Sequence, residues 1–274
     1  MEVSAGAALV TLLVGMLSGS LGAMVGIGGG VFLVPFLVLV VGLPFHQAAA
    51  VSLAAVIATS TAVSAATAGK QLINLRLGMV LEVATAAGGL AGGLTAQMLS
   101  PETLQIAFAV VAIFVAVVLA RRPEVTPLPH DADVGALGGR FVDQRTGETV
   151  TYRVHRLPAG LAASFLAGNL STLLGIGGGV VKVPVLVTWC GIPMRVAAAT
   201  SAFMIGVTAT SGAVIYYGHG DMNPALAASA VLGTQMGSAA GLRLASRARA
   251  GGLRVVLAVV LVLVALLMLT RSLS

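Results

Sequence analysis

Long apolar stretches separated by short polar ones run through the whole chain. They fall at about 4–24, 30–43, 46–68, 77–98 and 103–120. A second set falls at about 157–174, 179–191, 194–217, 224–245 and 252–270. Crossing the hydrocarbon core of a bilayer takes roughly 20 apolar residues in a helix, and most of these stretches have about that length. The segments at 30–43 and 179–191 are short. Each follows a run of glycines, Gly26-Ile27-Gly28-Gly29-Gly30 before the first and Gly175-Ile176-Gly177-Gly178-Gly179 before the second. Glycine in a helix interior costs about 1 kcal/mol relative to Ala, so four in five positions break a helix. The pattern predicts two glycine-broken or re-entrant half-helices.

The two sets of segments are copies of one unit. Sliding the chain by 149 residues superimposes the glycine runs and carries Pro35 onto Pro184 and Gly42-Leu43-Pro44 onto Gly191-Ile192-Pro193. It also carries Ser52, Thr59 and Thr61 onto Ser201, Thr208 and Thr210, and Asn74 onto Asn223. Thr85, Gly88 and Gly92 meet Thr234, Gly237 and Gly241. An ungapped match of this length marks an internal repeat. The chain divides into a first transmembrane repeat at 1–122, a polar interval at 123–156 and a second repeat at 157–274. Within the interval, alternating apolar and polar residues flank Arg145-Thr146-Gly147, which predicts a small β-hairpin in a linker.

Composition agrees with the pattern. The 274 residues are 58% hydrophobic and 9% charged, against roughly 25% charged in soluble domains. Mean hydropathy is +1.03. The net charge of +6 is distributed as topology rather than as a nucleic-acid-binding face. With ten segments and the N-terminus outside, the inner loops hold Lys70, Arg76, Arg121, Arg122, Arg140, Arg145, Arg153, Arg156, Arg195, Arg243, Arg247, Arg249 and Arg254. Only Arg271 lies outside, and Lys182 falls within a segment. That asymmetry satisfies the positive-inside rule and makes the central interval cytoplasmic. Met1-Glu2-Val3 lacks a basic n-region, so the first segment is expected to remain as a helix. Five segments per copy is an odd number. The second copy therefore enters the membrane upside down, the inverted-repeat plan of secondary transporters, whose sites lie near the midplane.

The glycine runs carry the first candidate chemistry. A run that opens a helix leaves backbone N–H groups without carbonyl partners, and the helix dipole adds positive potential there. Gly28, Gly29 and Gly30, with Gly177, Gly178 and Gly179, are therefore candidate anion donors. The competing role is close helix packing, which suits Gly15 with Gly19 and Gly88-Gly89 with Gly92-Gly93. A soluble phosphate-loop reading fails, since no strand precedes the glycines and no Gly-Lys-Ser/Thr follows.

Lys182 stands where the first repeat has Leu33. An embedded lysine faces a cavity or a partner, or snorkels to the interface; the former would place a cation beside a substrate anion. Glu82 reads best as pairing with Lys70 or Arg76 at the inner face, with proton coupling as the alternative. Hydroxyls recur at equal positions in both copies, and Thr59, Thr61, Thr208 and Thr210 are candidates to line a pathway. Asn169, with Ser171 and Thr172, precedes the second run and adds donors. His46, His219 and Asp221 sit at segment ends and read as interfacial. Cys190 is the single cysteine; with no histidine near it in the pattern, it supports neither a disulfide, a metal cluster nor an intramembrane enzyme.

Two copies of Gly-x-Gly-Gly-Gly, each followed by an apolar half-segment holding Val31 and Pro35 or Val180 and Pro184, resemble the sulfite exporter TauE/SafE family. The resemblance extends through Gly42 to Ala48, Gly191 to Ser201, and Asn74 with Asn223. It implies a transporter of sulfur-containing oxyanions such as sulfite, sulfoacetate or other organosulfonates. The resulting expectation is an all-α polytopic protein of the inner (plasma) membrane that exports its anion by alternating access. It calls for no cofactor and no metal. Its partners are the anion, the lipid bilayer and, as one arrangement, a second copy in a homodimer. The alternative is an importer of another sulfur or organic anion, for example thiosulfate.

Overall fold

The computed structural model describes residues 5–25, 28–69, 71–120, 134–142, 147–245 and 250–273. Ten helices and one hairpin follow in order: α1 (Ala5–Val25), α2 (Gly30–Leu39), α3 (Phe45–Thr67), α4 (Leu75–Met98), α5 (Pro101–Ala120), β1 (Gly139–Val142), β2 (Thr149–Tyr152), α6 (Leu157–Leu174), α7 (Gly179–Thr188), α8 (Met194–Gly218), α9 (Pro224–Ala245) and α10 (Ala250–Leu273). Gly26, Ile27, Lys70, Arg121, Arg122, Arg145, Arg247 and Arg249 lie outside the described residues. Helices α1, α3, α4, α6 and α8 are long and apolar enough to cross a membrane. The short helices α2 and α7 have 10 residues each, about 15 Å at the α-helical rise, half of a roughly 30 Å hydrocarbon core.

Helices related by the 149-residue shift have equivalent surroundings. Helix α1 packs on α9 as α6 packs on α4; α3 packs on α9 as α8 packs on α4. The equivalent pairs α3 and α8, and α5 and α10, pack on each other. Each copy thus supplies its first helix to the fourth helix of the other, and neither copy forms a separate body.

The close crossings are made by small residues, because without a hydrophobic driving force in lipid, association rests on tight van der Waals contact. A Cβ added to Gly88 or Gly92 of α4 would collide with the carbonyl oxygen of Phe165 or Asn169 on α6, and Gly237 and Gly241 of α9 stand equally close to Met16 and Ser20 of α1. In these pairs the residue numbers rise together, so α1 runs parallel to α9 and α4 parallel to α6. Helices α3 and α8 run the other way. Ser60 of α3 meets Ala202 of α8 through a 2.5 Å hydrogen bond, while Leu53 lies against Gly212. Equivalent helices at the centre of the molecule are therefore antiparallel.

The polar interval does more than link. Strands β1 and β2 pair antiparallel, Gly139 with Tyr152 and Val142 with Thr149. The inward side chains Phe141 and Tyr152 pack into a core with Leu77 and Leu81 of α4, Leu186 and Val187 of α7, and Ile192 and Val196. Asn74 joins the parts. Its Oδ1 accepts from Leu77 N–H to cap α4, and its Nδ2 donates to Leu137 O and to the Tyr152 hydroxyl. Asn223 caps α9 in the same way, with no hairpin against it among the described residues.

Candidate functional site

The described parts of the two glycine runs, Gly28-Gly29 before α2 and Gly175 to Gly178 between α6 and α7, form elbows that lead into the half-helices. Gly28 and Gly177 occupy equivalent left-handed positions, at φ of 86° and 76°, where an L side chain is strained. The two elbows meet. Ser52 Oγ on α3 donates to Gly175 O at 2.6 Å, and a Cβ on Gly30 would fall on that same carbonyl and 2.8 Å from Ser52 Oγ. Among the described residues, the N–H groups of Gly28 to Gly30 and of Gly177 to Gly179 have no acceptor, as the first turn of a helix requires.

The second elbow is strapped. Tyr216 of α8 is wholly buried and its hydroxyl lies 3.2 Å from both Thr172 O and Leu173 O, taking up carbonyls at the end of α6. Thr172 Oγ1 donates to Gly89 O on α4 at 2.6 Å. Beside the elbow, Ser171 Oγ is buried and has no hydrogen-bond partner; its Cβ is 3.4 Å from where a Gly178 Cβ would be.

Lys182, at the end of the first turn of α7, does not snorkel. Its side chain is 0% exposed, and its Nζ lies 3.9 Å from Oε2 of Glu82, whose side chain is 12% exposed. The recorded partner is thus Lys182 rather than Arg76, while Lys70, the other expected partner, lies outside the described residues. Glu82 is two turns into α4 on the face that carries Leu81 and Thr85 inward, whereas Arg76 points outward. Thr208 Oγ1 donates to Glu82 Oε1 at 2.9 Å and also lies 3.1 Å from Met204 O. Neither Lys182 Nζ nor Glu82 Oε2 has a hydrogen-bond partner. The result is a buried charged triad contributed by α4, α7 and α8.

The other half of the molecule presents the same frame without charge. The residues equivalent to Glu82, Lys182 and Thr208 are Val231, Leu33 and Thr59. Thr59 bonds back to Ala55 O at 3.1 Å. It lines a small cavity with Gly22, Gly28, Ser60, Val63, Ala202 and Ile205, with about 10 Å³ free to a water-sized sphere.

The structure thus brings Gly28 together with Thr59, and Lys182 together with Thr208 through Glu82. It places Thr61 and Thr210 on exposed faces of α3 and α8, each bonded back to its own helix at Ile57 O and Gly206 O. Asn169 is half-buried where α6 crosses α4 at Gly92. Ser52 and Ser60 belong to the hydroxyl-rich third segment that the sequence offers as a pathway lining, whereas Tyr216 was not singled out. Ser52 recurs at Ser201; Ser60 and Tyr216 are met by Ala209 and Thr67 in the other copy, so the repeat is silent on them. Among the described residues no group of His, Cys, Asp and Glu is arranged to hold a metal ion.

Helices that break in the interior, with a buried ion pair beside one break, define a polytopic membrane protein of the transporter class. A family model described as "Sulfite exporter TauE/SafE" matches residues 11–268, and the chain belongs to that family. It is 24% identical over 263 residues to the "Probable membrane transporter protein YunE" of Bacillus subtilis (strain 168), covering 93% of this chain and 95% of the relative. It is 49% identical over 55 residues to "Sulfite exporter TauE/SafE family protein 5" of Arabidopsis thaliana, covering 20% of this chain and 12% of that protein. No solved structure matches.

Proposed function

We propose that this protein is a secondary transporter that exports a small sulfur-containing oxyanion, such as sulfite, sulfoacetate or another organosulfonate, across the inner membrane. The observation that carries the reading is Lys182, a wholly buried ammonium within α7 whose helix opens on unpartnered glycine amides. Glu82 is its counter-ion here, at 3.9 Å and without a hydrogen bond, so the ammonium keeps donor capacity for a second anion, and a three-oxygen head group suits a cation flanked by N–H donors. In this reading the amides of Gly177 to Gly179, with Ser171, and those of Gly28 to Gly30, with Thr59, face the anion in turn as the carrier alternates. Inversion of the second copy is supported by the antiparallel course of α3 and α8 and by the charge distribution, which also favours a cytoplasmic hairpin. The test is flux through proteoliposomes loaded with sulfite or sulfoacetate. Protein-dependent movement is expected. No movement of either anion in either direction would reject the reading.

A further inference from the structure

Of the two equivalent frames, one holds the charges of Glu82 and Lys182 and the other has Val231 and Leu33 in their places. We propose that Glu82 is a proton-binding site that couples one proton to each anion moved. The inference rests on the anion-transport reading of Lys182 and adds to it the coupling ion.

In the structure Lys182 and Glu82 neutralise each other. An anionic sulfonate or sulfite group that binds Lys182 while Glu82 is ionised sets two negative charges on one ammonium in a low-dielectric interior. Like charges there disfavour each other strongly. If Glu82 takes up a proton as the anion arrives, the net charge of the site returns to zero. The step is simple in its balance: a proton from water converts the Glu82 carboxylate to the acid, the anion takes the place of the carboxylate as counter-ion, and Lys182 keeps all three of its protons.

The geometry fits that exchange. At 3.9 Å the pair is an ion contact without a hydrogen bond, so Nζ and Oε2 each have bonding capacity to spare. A protonated Oε2 becomes a donor to an oxyanion oxygen. Thr208 can follow, since Met204 O lies within hydrogen-bond distance when Oε1 no longer holds its proton. Glu82 is also the more accessible member of the pair, its side chain 12% exposed against 0% for Lys182.

Among the described residues no second carboxylate or histidine is recorded as a partner of Glu82; Tyr152 of the hairpin and Cys190 share a core with Leu77 and Leu81 of the same helix. Helix α6, packed along α4, has no titratable side chain. Helix α8 has Arg195, Tyr216 and Tyr217, all toward its ends, and presents only the Thr208 hydroxyl to Glu82. Helix α7 has Lys182 alone. On α4 itself Arg76 is exposed. Because Leu33 and Val231 fill the equivalent positions, the exchange happens at one place, which fixes one proton per anion. Two forms of the site are neutral, the ion pair and the fully loaded state, and these are the forms that reorient. Proton and anion therefore travel the same way, and an outward anion gradient carries protons out.

The test uses the full chain in proteoliposomes with a pH-sensitive dye inside and methanesulfonate outside, a sulfonate whose single acidic group stays ionised around neutral pH, so that one proton makes the loaded site neutral. For the unaltered protein, methanesulfonate entry acidifies the lumen, and uptake falls about tenfold per pH unit on the alkaline limb, as a single required proton dictates. Glu82→Gln is expected to abolish net uptake and lumen acidification and to make methanesulfonate binding independent of pH. Uptake by the unaltered protein with no acidification and no pH dependence overturns the coupling while leaving the transport reading intact. No movement of methanesulfonate overturns the coupling, and if sulfoacetate and sulfite also stay put at every pH the transport reading falls with it. Should Glu82→Gln fail to assemble, the acidification measurement on the unaltered protein decides the matter.

Discussion

Glu82→Gln and Lys182→Met should have unequal costs that vanish in combination. The first leaves an ammonium with 0% side-chain exposure and no other ion-pair partner among the described residues. Breaking a buried pair from one side costs about 3–5 kcal/mol, and the absence of any competing hydrogen bond to Nζ argues for the full amount. The second leaves a carboxylate that keeps the 2.9 Å bond from Thr208, has some exposure and can neutralise itself by taking a proton. Its cost is expected to be the smaller, about 1–3 kcal/mol, the range for a buried group that loses one partner. Replacing both ions by neutral side chains of similar volume is about neutral. The double variant should then recover most of the loss, a coupling energy of several kcal/mol, or more than a hundredfold in the folded ratio at about 1.4 kcal/mol per decade. A double-mutant cycle read by thermal or steric-trap unfolding in detergent measures this directly. Simple additivity of the two single costs would show that the 3.9 Å approach carries no energy, and would refute the argument.

Other perturbations separate packing from function. On α4, Gly78→Ala meets nothing nearer than Thr200 Cγ2 at 3.4 Å and should stabilise by up to about 1 kcal/mol through helix propensity; Gly88→Ala on the same helix strikes the Phe165 backbone and should lose about 1–3 kcal/mol net of that gain, a difference of sign that thermal unfolding of the two variants reads. Ser52→Ala removes the bond that joins the two elbows and should cost about 1–3 kcal/mol by stranding Gly175 O, with faster amide exchange at Ile176 if the elbow loosens. Asn74→Ala should lose about 1 kcal/mol at the cap and release the hairpin, seen as faster hydrogen exchange over 137–142 and 149–154 while α9, capped by Asn223, stays unchanged. Burial pushes the Tyr152 phenol above its ordinary range, only partly offset by its bond from Asn74. A raised value favours the protonated form in the folded state, so hairpin docking should be constant through neutral pH and weaken as pH rises through the tyrosine range.

Much of this architecture is legible in the chain because lipid imposes a simple code. Apolar length marks the helices to within a few residues, and the repeat marks the two elbows, since only glycine serves at Gly28 and Gly177. The hairpin is readable from its alternation, and Asn74 and Asn223 from their recurrence. What the sequence conceals is which face of each helix turns inward. In lipid both faces are apolar, so periodicity loses its contrast. Thr59 and Thr61 look alike in a list of hydroxyls, yet one is buried and the other exposed. The same loss of contrast hid the partner of Glu82. Counting along α4 puts it near the basic inner loop, and only the packing of α4 and α7 on the same helices, α6 and α8, puts it beside Lys182. Asymmetry between copies was the available signal, because Glu82 and Lys182 both stand opposite apolar residues.

A structure with sulfite or a sulfonate bound would judge the assignment of the anion site. Density within hydrogen-bond distance of Lys182 Nζ and of the N–H groups of Gly177 to Gly179, with Glu82 moved off the ammonium or donating to the anion, is the predicted result. Density elsewhere, with Lys182 still held by Glu82 and the glycine amides bonded within the protein, would contradict it and return the glycine elbows to a packing role.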